Sequence, residues 1–412
     1  MNSKPKVWIL SRECFGDFLL GPALRVRDIA FQAVEAGYCV HILAAVGSKD
    51  QGWTGVEMGL LQKGYSHSIG PDDSVVICEL LPSSPLFELL KSGHPFHWDV
   101  YGLSLPETMS FIGVWPSSRS RADSRRKDLR YVVLSRAAYR IWVSHSHQTT
   151  FLAALLARTG RADDIRMAYS LPSRVIEAPM GCSFEKGSHG SANPYLDLGI
   201  SDPVFLWGGG IWKWFDTETV IRAFRILADR SVPATLFFLS GRNEATSDYD
   251  SPLSQAIDLA KGLGIFGKQV VFNSKRVGRE ELAPWLAYAT AGVMGNCPTL
   301  ESRMSWRTRY LDLLSAGRPL VVSGPDPLAE KMERAKAALM VPVGDPKALA
   351  DAMASLLNDP ILLRSLSDAS GQLGEQMSNR CTLSGAIASL GTPGSSGPGP
   401  RLFELVRYVL GR

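Results

Sequence analysis

VFLWGGGIWKWFDTETVIRAFRILADRSVPATLFFLSGR, residues 204–242, sets the fold class. An apolar run, 204–207, ends at Gly208, Gly209 and Gly210. A helix-spaced segment, 217–231, follows, with Asp216 or Thr217 placed to cap it, and a second apolar run spans 234–241. Strand, glycine-rich loop, helix and strand in this order is the repeating unit of a doubly wound parallel sheet. The alternation continues outward. Helices are expected over 255–265, 280–289, 327–339 and 346–359, and strands over 269–275, 291–296, 319–323 and 339–345.

Toward the N-terminus the same grammar appears again. KVWIL (6–10) and YCVHILAAV (38–46) read as strands around a loop carrying Gly16, Gly21 and Pro22 and a helix over 23–37. SVVICEL (74–80) reads as a further strand and PLFELLKSG (85–93) as a helix. HPFHWDVYGL (94–103) is expected at the carboxyl edge of the sheet, which would put His97 and Asp99 where ligands bind in such folds. Segment 129–143 ends in a strand, YRIWV, and SHSHQ (144–148) opens a helix running to Gly160. The reading is α/β, with two Rossmann-like doubly wound domains facing a central cleft. The first spans 1–185, a Gly/Ser/Asn/Pro-rich linker spans 186–203, the second spans 204–385, and a tail spans 386–412. That tail holds a low-complexity stretch, GTPGSSGPGP, and a basic amphipathic segment, RLFELVRYVLGR (401–412), suited to docking on the first domain or on a membrane surface.

Composition narrows the class of function. Of 412 residues, 45% are hydrophobic and 20% charged, with a net charge of +4, which fits a soluble globular enzyme. No Lys/Arg stripe is interleaved with stacking aromatics, so nucleic acid is not an expected partner. The six cysteines form no C-x-x-C and none pairs with His at ligand spacing, so the expectation is reduced thiols, no metal site and a cytoplasmic location. No window reaches the ~20 apolar residues of a membrane span, so membrane contact is at most peripheral. The first Gly loop lacks G-x-G-x-x-G spacing, which argues against a nicotinamide cofactor.

ESRMSWRTRYLDLLSAG (301–317) then stands out. Arg303, Arg307 and Arg309 precede an apolar helix carrying Asp312 and stopped by Gly317. Helix N-termini are already positive, so cations there are unfavourable unless an anion joins them. Arg242 follows one expected strand and Lys275 or Arg276 another, while Gly209 and Gly210 offer bare backbone after a third. Guanidinium forks match phosphate oxygens, and the convergence points to a diphosphate. Asp312, among Leu311, Leu313 and Leu314, is either an acceptor for ribose hydroxyls or the partner of Arg309 or Arg318.

These strings resemble a bacterial branch of the family-four GT-B-fold glycosyltransferases, the retaining, nucleotide-sugar-dependent class. The resemblance rests on WGGGIWKWFD, LFFLSGR and ESRMSWRTRYLDLLSAGRP, with Gly21-Pro22-x-x-Arg25 and SHSHQ in the first domain. It implies a donor site made of Gly21, Gly209, Gly210, Arg242, Lys275, Arg276, Glu301, Arg303, Ser305, Arg307, Arg309 and Asp312. The donor is a UDP-, GDP- or dTDP-sugar used as co-substrate, with no other cofactor. The family's Glu-x7-Glu pair is missing, since Met304 holds the first place; Glu301 or the amides of Met304 to Trp306 would replace it. The implied reaction is sugar transfer to a hydroxyl of a saccharide, a lipid-linked saccharide or a small natural product. It is retaining and metal-independent, with Arg242 and Arg307 stabilising the leaving diphosphate and His97 or Asp99 orienting the acceptor. A nucleotide-sugar epimerase of the same fold, or a catalytically silent binding protein, are the alternatives.

Overall fold

The computed structural model describes residues 5–110, 117–183, 192–239, 252–275 and 277–391. It divides into two units: residues up to Gly181 together with those from Asn379 onward, and Cys182–Ser378.

The first unit runs β1 (Lys6–Ser11), α1 (Gly21–Glu35), β2 (Cys39–Ala44), β3 (Val56–Leu60), β4 (Ser74–Cys78), α2 (Ser83–Ser92) and β5 (His97–Val100). It continues with α3 (Ser104–Ser110), α4 (Ser117–Ala137), β6 (Arg140–Val143), α5 (Ser146–Ala157), α6 (Ala162–Ser170) and β7 (Val175–Glu177). Its seven strands are ordered β3-β2-β1-β4-β5-β6-β7 and are all parallel. In register, Ile9 sits between Ile42 and Val76. β1 and β4 are buried almost throughout, as expected of strands covered by helices on both faces.

The second unit runs α7 (Pro194–Asp197), β8 (Val204–Trp207), α8 (Thr217–Asp229), β9 (Thr235–Phe238), α9 (Pro252–Gly262), β10 (Val270–Phe272), α10 (Leu282–Tyr288) and β11 (Ala291–Gly295). Then come α11 (Leu300–Met304), α12 (Thr308–Ser315), β12 (Leu320–Ser323), α13 (Pro327–Arg334), β13 (Ala338–Val341), α14 (Pro346–Asn358) and α15 (Pro360–Gln376). Its parallel order is β10-β9-β8-β11-β12-β13. Asp216 caps α8, its Oδ1 accepting the Thr219 N–H at 2.9 Å. Gly292 lets α12 lie against β11, since a Cβ there would fall 2.1 Å from Leu313 Cδ1.

The unit boundaries differ from those expected. Part of the 186–203 stretch folds as α7, whose buried Tyr195 donates to the Trp285 carbonyl at 2.7 Å, so it belongs to the second unit. The chain returns to the first unit at Asn379, well before 386. There α16 (Asn379–Ala388) adds Leu383, Ala386 and Ile387, and the residue Leu390 just after it, to the core between α1 and the sheet. Apolar periodicity finds α16 but does not say which core it joins. The tail beyond 391, and residues 184–191 of the linker region, lie outside the described residues.

HPFHWDVYGL is also not simply an edge segment. Residues 97–100 are β5 itself, all buried, and His97 opens the strand. In a parallel sheet that puts His97 at the amino edge and Tyr101, Gly102 and Leu103 beyond the carboxyl end.

Candidate donor site

In the second sheet the chain leaves β8 toward β9, and leaves β11 toward β12 on the other side. β8 and β11 are neighbours, so the crevice beyond their carboxyl ends is the topological switch point, the preferred ligand position in open α/β sheets. Gly208–Gly210 follow β8, and the stretch from Asn296 to Arg309 follows β11. Backbone bonds stitch the two together: Asp216 N–H to the Gly295 carbonyl at 2.9 Å, and Cys297 N–H to the Trp214 carbonyl at 3.0 Å.

Arg309 sits in this crevice. Its Nη1 donates to the Gly210 carbonyl at 3.1 Å, and its guanidinium stacks over Phe215, 4.4 Å from the ring centre. Gly209 has φ +79°, and a Cβ there would lie 3.3 Å from Arg309 Nη2. Glycine therefore serves both backbone shape and clearance. No carboxylate of the described residues pairs with Arg309. Burial, and then the neighbouring Arg307 cation, push its pKa down to about 10. This is a cation held under electrostatic strain beside bare backbone at a ligand position.

Arg307 is different. It is only 7% exposed, and Nη1 and Nη2 bond the two Glu301 oxygens at 2.7 Å each. Its Nε reaches Asp326 at 3.2 Å. Burial disfavours its charge, but Glu301 more than compensates and the pKa is raised. Glu301 Oε1 also accepts the Ser305 hydroxyl at 2.6 Å. Asp326 caps α13 through the Leu328 and Ala329 N–H groups, and burial raises its pKa to about 7 against the pull of Arg307. Glu301, Ser305 and Arg307, expected to face the donor, are thus turned inward. They form a brace tying α11, α12 and α13 together. Arg307 does not stand as a catalytic cation, and Glu301 does not offer an open carboxylate in place of the missing motif residue.

Asp312 pairs with neither Arg309 nor Arg318. Its Oδ1 accepts from Arg279 Nη1 at 3.0 Å, and Arg279 Nη2 donates to Ser183 at 2.6 Å. Arg318 instead donates to the Ala287 carbonyl. Sequence reasoning missed Arg279, because a lone arginine in a polar loop carries no local signal. Arg303 is exposed on α11, and Lys275 is exposed beyond β10, the far edge strand. Arg242 and Arg276 lie outside the described residues.

The first unit has its own switch point, between β1 and β4. Gly21 opens α1 there, and a Cβ on it would meet the Tyr101 hydroxyl at 2.9 Å. Asp99 is 1% exposed and is held by Arg25 at 2.7 Å, while Arg25 also donates to the Ala178 carbonyl at 2.6 Å. It therefore anchors α1 and β7 rather than facing a ligand. His97 is buried beside Trp142 and Tyr139, with its pKa lowered to about 4 by burial and then by Arg140. Buried, neutral and at the wrong edge, it does not meet an acceptor at the carboxyl ends. Of SHSHQ, Gln148 is buried and accepts the Ser144 N–H at 2.8 Å, while His147 is exposed on the first turn of α5.

Glu79, just past β4, escaped sequence reasoning. It adopts φ +57°, rare for a residue with a side chain, and Arg12 approaches it at 3.4 Å. Burial lifts its pKa to about 8.

Residues 202–359 match the family model for Glycosyl transferases group 1. No curated protein sequence matches the chain. Among solved structures, the fold is similar to a sucrose-phosphate synthase from Thermosynechococcus elongatus, at 15% identity and TM-score 0.70, covering 98% of this chain and 99% of that one. It is similar to Anabaena HepE in complex with UDP and glucose, at 14% identity and TM-score 0.65, covering 94% and 100%. It is also similar to a UDP-forming alpha,alpha-trehalose-phosphate synthase from Burkholderia vietnamiensis, at 13% identity and TM-score 0.68, covering 94% and 100%. The match to the group 1 model falls within the second unit, and the chain as a whole shares the two-domain GT-B fold of these solved structures.

Proposed function

We propose that this chain transfers a sugar from a UDP-sugar to a hydroxyl acceptor, with the diphosphate held where Arg309 meets Gly208–Gly210. The observation that carries the reading is Arg309, a half-buried guanidinium with no carboxylate partner among the described residues, at a switch point. UDP is the nucleotide named for the HepE complexes, and the trehalose-phosphate synthase is described as UDP-forming. In the reaction the bond from the anomeric carbon to the diphosphate breaks, the acceptor oxygen bonds that carbon, and the acceptor proton passes to the departing diphosphate. Negative charge grows on the leaving oxygen, and fixed cations and amides aimed at it lower the barrier, by about 3 kcal/mol per donor. Arg309 and the glycine loop supply that charge, so the reading requires no divalent ion. Retention of configuration is part of the proposal through the family resemblance. Asp312, on the next turn of α12, takes the ribose hydroxyls, with Arg279 beside it. Acceptor-side groups belong to the first unit. The chain is read as cytoplasmic; no described helix is long and apolar enough to cross a membrane.

The test is thermal denaturation with UDP, GDP, dTDP and UDP-glucose, comparing wild type with Arg309→Met. Removing Arg309 orphans no carboxylate, so Arg309→Met should melt close to the wild-type temperature while losing stabilisation by UDP. No shift with any nucleotide in wild type, or an undiminished UDP shift in the variant, would overturn the proposal.

A further inference from the structure

We infer that the segment 401–412 docks intramolecularly on the first unit, in the groove between the outer face of α1 and the loop before β3. The groove is lined by Phe31, Val34, Glu35, Gly52, Trp53 and Thr54. Phe31 is 37% exposed, unusual for an aromatic on a helix already packed on a sheet. Trp53 makes edge contacts with Phe31 at 5.5 Å and Phe15 at 5.9 Å, so the groove has a rigid aromatic wall.

Three observations name the occupant. The first is where the described chain ends. Leu390 accepts from Tyr38 Oη at 3.0 Å and Gly391 N–H bonds Ser74 Oγ at 3.0 Å, at the amino edge of the sheet. Tyr38 follows the last turn of α1, and Val34 and Glu35 lie about one helical turn, roughly 5 Å, back from it. The second is reach. Residues 392–400, TPGSSGPGP, separate Gly391 from the segment. Nine residues reach up to about 30 Å when extended, enough for the segment to return to α1 from Gly391. The third is chemistry. In RLFELVRYVLGR, Leu402, Phe403, Val406, Val409 and Leu410 recur at helical spacing, and Arg401, Arg407 and Arg412 outnumber Glu404. Glu35 lines the groove and Asp50 borders it, its Oδ1 accepting the Gly52 N–H at 3.0 Å, while Arg27 lies 5.9 Å over Phe31. Tethering gives an effective concentration in the mM range, so even a weak intrinsic affinity holds the segment in place.

Amide hydrogen exchange on the full chain tests this, with Phe403→Asp/Val406→Asp on the segment and Phe31→Ser on the groove. Phe31 is exposed enough for its variant to fold. The expected result is protection of 401–412 and of 50–56 in wild type, falling at least about tenfold in both regions in either variant and independent of protein concentration. Three results would overturn the inference. One is 401–412 exchanging at free-peptide rates. Another is protection that survives Phe31→Ser or depends on protein concentration. The last is protection that appears only with vesicles of phosphatidylcholine and phosphatidylglycerol.

Discussion

Glu301→Ala should be among the most damaging single substitutions in the second unit, although Glu301 touches no proposed ligand. Glu301 is 1% exposed, and both its oxygens are bonded to Arg307 at 2.7 Å. Removing it leaves a buried guanidinium with only Asp326, at 3.2 Å, and strips the Ser305 hydroxyl of its acceptor. Breaking one side of a buried ion pair costs about 3–5 kcal/mol, because the remaining charge stays desolvated. In a unit of this size each kcal/mol lowers the melting temperature by about 2–4 °C, so a fall on the order of 10 °C is expected. The double substitution Glu301→Leu/Arg307→Met removes both charges, and buried pairs replaced by apolar side chains are often near neutral. It should therefore be more stable than Glu301→Ala alone. Urea denaturation followed by tryptophan fluorescence, with the two units fitted separately, measures both. A loss under about 1 kcal/mol for Glu301→Ala, the value of an exposed pair, would refute the brace.

Three further outcomes follow from named geometry. Gly209→Ala forces a side chain into φ +79° and toward Arg309, and should weaken UDP binding about tenfold by calorimetry, for a strain of about 1–2 kcal/mol. Glu79 has a folded pKa raised to about 8, so its contribution to stability is full below about pH 4.5 and is lost as pH rises through 8; Glu79→Gln should raise the melting temperature at pH 8.5 and leave it unchanged at pH 4. His97 has a folded pKa lowered to about 4, so the neutral ring favours the fold above pH 6.5 and that contribution is lost as pH falls toward 4. His97→Phe should flatten the acid limb of a stability-versus-pH curve, and an unchanged limb would show that the ring titrates normally.

Most elements were legible because both sheets are built from short apolar runs between helices of clear periodicity. β3, with the sequence VEMGL, was not, because an edge strand with exposed residues lacks that run. β5 was hidden by its His and aromatic content, which imitates a site. The basic stretch 301–309 was recognisable, but the roles of its arginines were not. Arg307 and Arg309 are two residues apart in one motif, yet one is neutralised by Glu301 and Asp326 and the other pairs with no carboxylate among the described residues.

By itself the sequence determined two doubly wound parallel units, a glycine loop after one strand and a cationic helix start after another, because those depend on local periodicity and residue chemistry. Only the tertiary structure decided that β8 and β11 are neighbours, which brings Gly210 and Arg309, from two separate motifs, together across 99 residues. It also decided that Arg279 holds Asp312, that His97 lies at the opposite edge, and that Asn379 turns back to the first core. Strand order, desolvation and pairing are properties of long-range packing, and no local pattern encodes which of several equivalent cations will find a carboxylate.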